Sequence, residues 1–275
     1  MCLVALAIDQ HRRFPLVVVA NRDEYFARPA STMAWWSQGP GLPAVLSGRD
    51  LQSGGTWLGL TTAGRLALLT NVRNPARNDP EAPSRGAIVP LWLRGDLSMD
   101  RFWTRVALGG YNGFNLIAMD FARGEGFWAT NTQGLPRRLE RGIHGVSNAM
   151  LDTPWPKVVR LKHRLAVALE TSTSTDALAE RLFDALADRS LAADEELPST
   201  GISLELERLL SAAFIRTPDG RYGTRCSTLV ITERIDRRLV THVFERSFGA
   251  AESDPTQLQH SLLKDWPPQL AMENV

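Results

Sequence analysis

Apolar runs of strand length crowd both ends of this chain while helical spacing fills the stretch between, and that order constrains the fold more than any other feature. Residues 3–8 and 16–20 are short runs rich in Val and Leu, divided by the polar stretch 9–15, and they predict a hairpin. Residues 66–70 predict another strand, and 116–120 with 126–130 predict a second hairpin around Arg123-Gly124-Glu125. In the middle, Ser84 predicts a helix cap for a run through Trp92, with Pro90 as a kink. Thr153-Pro154 predicts the start of a longer helix carrying Val158, Leu161, Leu165 and Leu169 on one face, and further helices are expected over 176–187 and 203–214. Strand patterning returns at 227–232 and 239–244. Strands, helices, then strands imply an α+β class and argue against a parallel doubly wound sheet. No repeat or composition break divides the chain, so residues 1–275 read as one domain, with the polar tail after about 250 expected to pack loosely.

Thirty-one Lys plus Arg against 30 Asp plus Glu leave a formal charge of +1, which gives no general footprint for nucleic acid. The start MCLVALAIDQHRRFP has no positive region before its apolar residues, and no apolar run is long enough to span a bilayer. A cytoplasmic protein is the expectation. Cys2 and Cys226 are the two cysteines, without CxxC spacing, and the five histidines are scattered, so a metal site is not expected.

Position 2 admits two chemistries. Loss of Met1 would expose the Cys2 thiol beside its own α-amine, and ordinary pKa values of about 8.5 and 7.7–8.0 let the amine take the thiol proton near neutral pH. Alternatively, Cys2 is a small apolar residue opening a strand. A cysteine that attacks an acyl carbon needs orienting charges and oxyanion donors. Candidates stand at strand ends: Arg22 and Asp23 after 16–20, Asn71 after Leu68-Leu69-Thr70, Asn148 after Val146-Ser147, and Arg225 before the late strand. Asn amides donate to an oxyanion, and Arg holds a carboxylate or steadies a thiolate. Gly54 and Gly55 permit a tight turn before Trp57, which is either a pocket wall or a core residue.

The strings MCL, ANRDEYFARP, LSGRDLQSGGTWLG, LLTN, YNGFNL, GVSNAMLDTPWPK and YGTRCST resemble, in order, the motifs of the NRDE family, also called the transport and Golgi organisation protein 2 family. That family is similar to N-terminal-nucleophile hydrolases of the penicillin acylase and bile-salt hydrolase type. The resemblance implies a four-layer αββα sandwich with Cys2 as nucleophile, Arg22 and Arg225 beside it, and Asn71 and Asn148 around the oxyanion. Gly54, Gly55, Trp57 and Asn112, which lie within the matched strings, are the candidate ligand-binding residues. In the acylases the supporting aspartate lies three positions after the arginine, where this chain has Tyr25. Asp23 is the carboxylate here, and strand alternation turns it away from Arg22. The resemblance further implies a small amphipathic ligand, either an acyl compound or haem. The expected function is hydrolysis of an amide or thioester with no required cofactor, or else non-catalytic carriage, with haem as a carried ligand.

Overall fold

The computed structural model describes residues 2–268. In chain order the strands are β1 (Cys2–Ile8), β2 (Leu16–Tyr25), β3 (Ala30–Trp36), β4 (Val45–Asp50), β5 (Leu58–Thr61) and β6 (Arg65–Asn71), then β7 (Phe114–Asp120), β8 (Glu125–Thr130), β9 (Gln133–Arg138) and β10 (Gly142–Val146), and finally β11 (Tyr222–Ile235), β12 (Arg238–Ser247) and β13 (Gln257–Lys264). Five helices interrupt them: α1 (Ile88–Leu93), α2 (Met99–Ala107), α3 (Pro156–Thr171), α4 (Thr175–Leu186) and α5 (Leu204–Leu209). Two antiparallel sheets result, one of six strands in the order β10-β1-β2-β11-β12-β13 and one of seven running β3 through β9. The class is α+β.

Alternation along the strands sorts the core. Val4, Leu6, Leu16 and Val18 of the first sheet pack against Leu46, Leu60, Leu66 and Ile117 of the second. Their neighbours Leu3, Ala5, Val17 and Val19 face the other way, onto Val158, Leu161 and Leu165 of α3 and Leu178 and Leu182 of α4. On the far side of the second sheet, Ala67, Leu69, Leu116 and Ala118 pack on Trp92 of α1 and Phe102 of α2.

Several expectations shift. Ser84 does cap, accepting a hydrogen bond from the Gly86 N–H, but the cap opens a 3-10 turn that leads into α1. Pro90 falls in the first turn of α1, where its missing N–H costs no helical bond, so no kink is needed. The helix expected over 203–214 ends at Leu209, and 210–215 continue as buried connection. The tail after 250 does not pack loosely throughout. β13 pairs with β12 from Val240–Lys264 to Ser247–Gln257, and Trp266 is buried, its indole N–H donating to the Thr61 carbonyl at 2.8 Å. A polar strand reads as loop in sequence, and its sheet edge supplies the bonds that local pattern does not show. No helix among the described residues is long and apolar enough to cross a membrane.

Candidate functional site

Register brings the first candidates together. Cys2 lies opposite Arg22 on β2, and Arg22 lies opposite Cys226 on β11. Continuing the alternation, Cys2 and Arg22 belong to the side facing the second sheet, and Asn21 and Asp23 to the side facing the helices. The side chains agree. Asn21 Nδ2 donates to the carbonyls of Leu186 and Ala213 at 2.9 and 2.8 Å, while Asp23 Oδ1 accepts from the Thr224 hydroxyl at 2.8 Å. The carboxylate therefore turns away from the Arg22 side chain, as alternation requires. Because β1 and β2 run antiparallel, the residue after Arg22 lies beside the backbone nitrogen of Cys2.

Around Cys2 a cleft of about 470 Å³ is walled by Arg22, Asp23, Trp57, Asn71 and Arg85, with Asn112 at its margin. The Arg22 guanidinium lies 4.3 Å from the Trp57 ring centroid, within cation–π range, and 3.7 Å from the Asp50 carboxylate. Asp50 in turn binds Arg28 at 2.7 Å and accepts the N–H groups of Gln52 and Ser53. Bonds from Arg28 and the backbone hold its carboxyl below the usual range against its partial burial. Arg22 is thus fixed from both sides. Burial pushes the Cys2 thiol up, and the Asp23 charge adds to this; Arg22 and a backbone hydrogen bond from Asp23 oppose it.

Other candidates sit elsewhere. Arg225 lies between the paired positions Thr224 and Cys226, where the β11 register shifts against β2. The shift re-aims its guanidinium, which donates to the carbonyls of Tyr25 and Arg28 at 2.8 and 2.9 Å and lines the neighbouring cleft with Cys226 and Glu245. Arg22 and Trp57 form the wall shared by the two clefts, so Arg225 does not line the Cys2 cleft. Asn148 is buried, and its Nδ2 donates to the Asn71 carbonyl at 2.9 Å. It fixes Asn71 and lines the cleft on the far side. Asn112 exchanges two bonds with the Asp79 backbone and pins the loop that roofs the site. Gly54 and Gly55 line neither cleft. Gly54 has φ +72°, and a Cβ on Gly55 would fall 2.1 Å from the Gly86 carbonyl oxygen, so this pair lets two backbones touch behind Trp57.

Three ionisable residues of the site escape motif reasoning. Arg85 opens the 3-10 turn capped by Ser84, where nothing local distinguishes it from a surface arginine. Lys157 is buried in the first turn of α3, one helical turn ahead of Leu161 on the buried stripe, and its Nζ makes no hydrogen bond among the described residues. That spacing was the available signal. Glu245 is buried at the wall of the second cleft, accepting from the Met33 N–H at 2.7 Å, and burial pushes its carboxyl up to about 7 against the pull of that bond, Thr228 and Arg22. A folded pKa above the unfolded value means the folded chain holds a proton that the unfolded chain releases, so stability falls as pH rises from about 4.5 to about 7. Glu245→Gln is expected to stabilise the protein by about 2–3 kcal/mol at pH 8 and to change little at pH 4.5. Urea unfolding at the two pH values checks this.

An α+β protein of two facing antiparallel sheets, with a cysteine and an arginine side by side at the head of its first hairpin, is the class that fold and cleft define. The chain belongs to the Transport and Golgi organisation 2 family, whose profile matches residues 1–250. It is 34% identical over 279 residues to the Transport and Golgi organization protein 2 homolog of Bos taurus, covering 94% of this chain and 96% of that protein. The Homo sapiens homolog is 32% identical over 255 residues, covering 85% and 89%. The Drosophila melanogaster protein Transport and Golgi organization protein 2 is 24% identical over 262 residues, covering 85% and 88%.

Proposed function

We propose that this chain is an N-terminal cysteine hydrolase-like protein acting on an amide or thioester of a small amphipathic molecule. The observation that carries this is the register of Cys2 against Arg22, inside a cleft also walled by Asn71 and Arg85. Helices on both outer faces of two facing sheets support the N-terminal-nucleophile-like layering. With Met1 removed, the Cys2 α-amine accepts the thiol proton and the sulfur adds to the carbonyl carbon. Asn71 is the candidate donor to the resulting oxyanion, held by Asn148. The carbon–nitrogen or carbon–sulfur bond then breaks as the amine returns its proton to the leaving group, and water hydrolyses the acyl-cysteine.

A second reading, carriage without turnover, draws on a different observation. Burial raises the Cys2 thiol, and Arg22, Arg28 and Arg85 line the cleft as cations suited to the anionic end of an acyl compound or haem. The first reading predicts loss of Met1 by intact mass and labelling of Cys2 ahead of Cys226 by limiting iodoacetamide, since Cys226 is buried and its thiol pushed up further. Retention of Met1 in cytoplasmically expressed protein would remove it.

A further inference from the structure

Four neutral polar side chains are buried between the head of β1 and the end of β6: Thr70, Asn115, Ser147 and Asn148. The β1–β10 ladder stops at Val4–Val146, short of Cys2. Past that point the Ser147 hydroxyl takes the place of the ladder, donating to the Cys2 carbonyl at 2.9 Å, with the Asn148 side-chain oxygen 3.1 Å away as its alternative acceptor. The chain then reaches the second sheet. Thr70 Oγ1 of β6 donates to the Ser147 carbonyl at 2.5 Å and accepts from Asn115 Nδ2 of β7 at 3.1 Å. Asn115 also donates to the Ala149 carbonyl at 2.8 Å, and its side-chain oxygen accepts the Trp128 indole N–H at 3.3 Å. Asn148 completes the arrangement, with its Nδ2 on the Asn71 carbonyl at 2.9 Å and its own carbonyl accepting the Arg73 N–H at 2.8 Å.

We infer that Thr70 and Ser147 are positioning residues whose hydrogen bonds set the Cys2 sulfur and the Asn71 amide at the spacing that acyl transfer needs. The inference rests on the reading in which Cys2 attacks and Asn71 steadies the oxyanion. Those two groups stand on different sheets, and the core between the sheets is apolar there, with Val4 and Val146 packed among Leu66, Leu68 and Ile117. Apolar attraction is non-directional, so it holds the sheets together without fixing how far one has slid along the other. A hydrogen bond confines donor and acceptor to a range of about 0.5 Å and favours a straight line through the proton. Ser147 holds the carbonyl of the nucleophile itself, and Thr70 directly precedes the oxyanion donor in β6, so the path from one reacting residue to the other runs through two hydrogen bonds with buried side-chain donors. Misplacing reacting groups by about 1 Å costs on the order of 10²-fold in rate, which is the margin this path protects.

The test compares two reactions of Cys2 in full-length protein: turnover of acetyl, octanoyl and benzoyl thioesters of N-acetylcysteamine, which needs the oxyanion donor, and alkylation by iodoacetamide, which needs only the thiol. Thr70→Val keeps the side-chain shape and removes the hydroxyl, while Asn115 retains the Ala149 carbonyl as acceptor. It should lower kcat by about 10–100-fold with KM within about twofold, and leave the Cys2 alkylation rate as in wild type. Thr70→Ser, which keeps the hydroxyl, should recover most of the lost turnover. Ser147→Ala cuts the other bond and is read in the same way if Thr70→Val does not fold. Wild-type kcat in Thr70→Val, equal losses in Thr70→Val and Thr70→Ser, or alkylation slowed as much as turnover would each overturn the inference and leave the nucleophile reading standing. No turnover of any of the three thioesters by wild type would overturn both.

Discussion

Glu207→Ala is expected to destabilise the protein by about 3–5 kcal/mol, because it strips the partner from a buried cation. Glu207 is 3% exposed; it binds Arg73 Nη1 at 2.6 Å and accepts the N–H and hydroxyl of Thr200 at 2.9 and 2.5 Å. Without it, the Arg73 guanidinium loses its carboxylate, while the Asn148 side-chain oxygen at 3.4 Å and the Trp155 face remain. The same residue fixes the segment after β6, and through Asn148 it steadies Asn71, so cleft geometry and fold are strained together. Denaturant midpoints for Glu207→Ala, Arg73→Met and the double variant check the account: the double variant should be less damaged than the sum of the singles, since no unpaired charge remains buried.

Cys2→Ala is expected to abolish acyl turnover, lowering any thioester hydrolysis by at least about 10³-fold while leaving the fold intact. Release of free thiol from a series of acyl thioesters measures it. The variant keeps Arg22, Arg28 and Arg85, so ligand binding, followed by tryptophan fluorescence through Trp57, should survive. Saturable binding by wild type and Cys2→Ala alike, with no turnover by either, would leave carriage as the surviving reading.

The first hairpin was legible because its strands are apolar on both faces, and a strand buried between helices and a second sheet has that pattern. Arg22 was legible as a strand-end candidate and through the family resemblance, but not as part of the strand: the apolar pattern stops at Ala20, whereas β2 runs on to Tyr25 and Arg22 finds Trp57 and Asp50. The place of Arg225 was not legible, since a register shift in β11 leaves no mark in the residue types around it. β13 was missed because an edge strand of Gln, His, Ser and Lys carries the composition of a loop. Lys157 precedes the apolar stripe read from Val158 onward and drew no reading, though its position one turn before Leu161 places it on the buried face. Asn148, expected around the oxyanion, does not line the Cys2 cleft: its amide is bound to the Asn71 carbonyl across four intervening strands, a long-range contact invisible to local pattern.

The central claim is that Cys2, as first residue, forms a covalent acyl adduct. Mass analysis of the mature chain after brief exposure to an acyl thioester at acidic pH, where deacylation is slow, tests it directly. The account predicts one added acyl group per chain, on the peptide beginning at Cys2, absent from Cys2→Ala and from chains that retain Met1. Saturable binding of the same thioester with no adduct on the Cys2 peptide, and no loss of thioester over time, would contradict it.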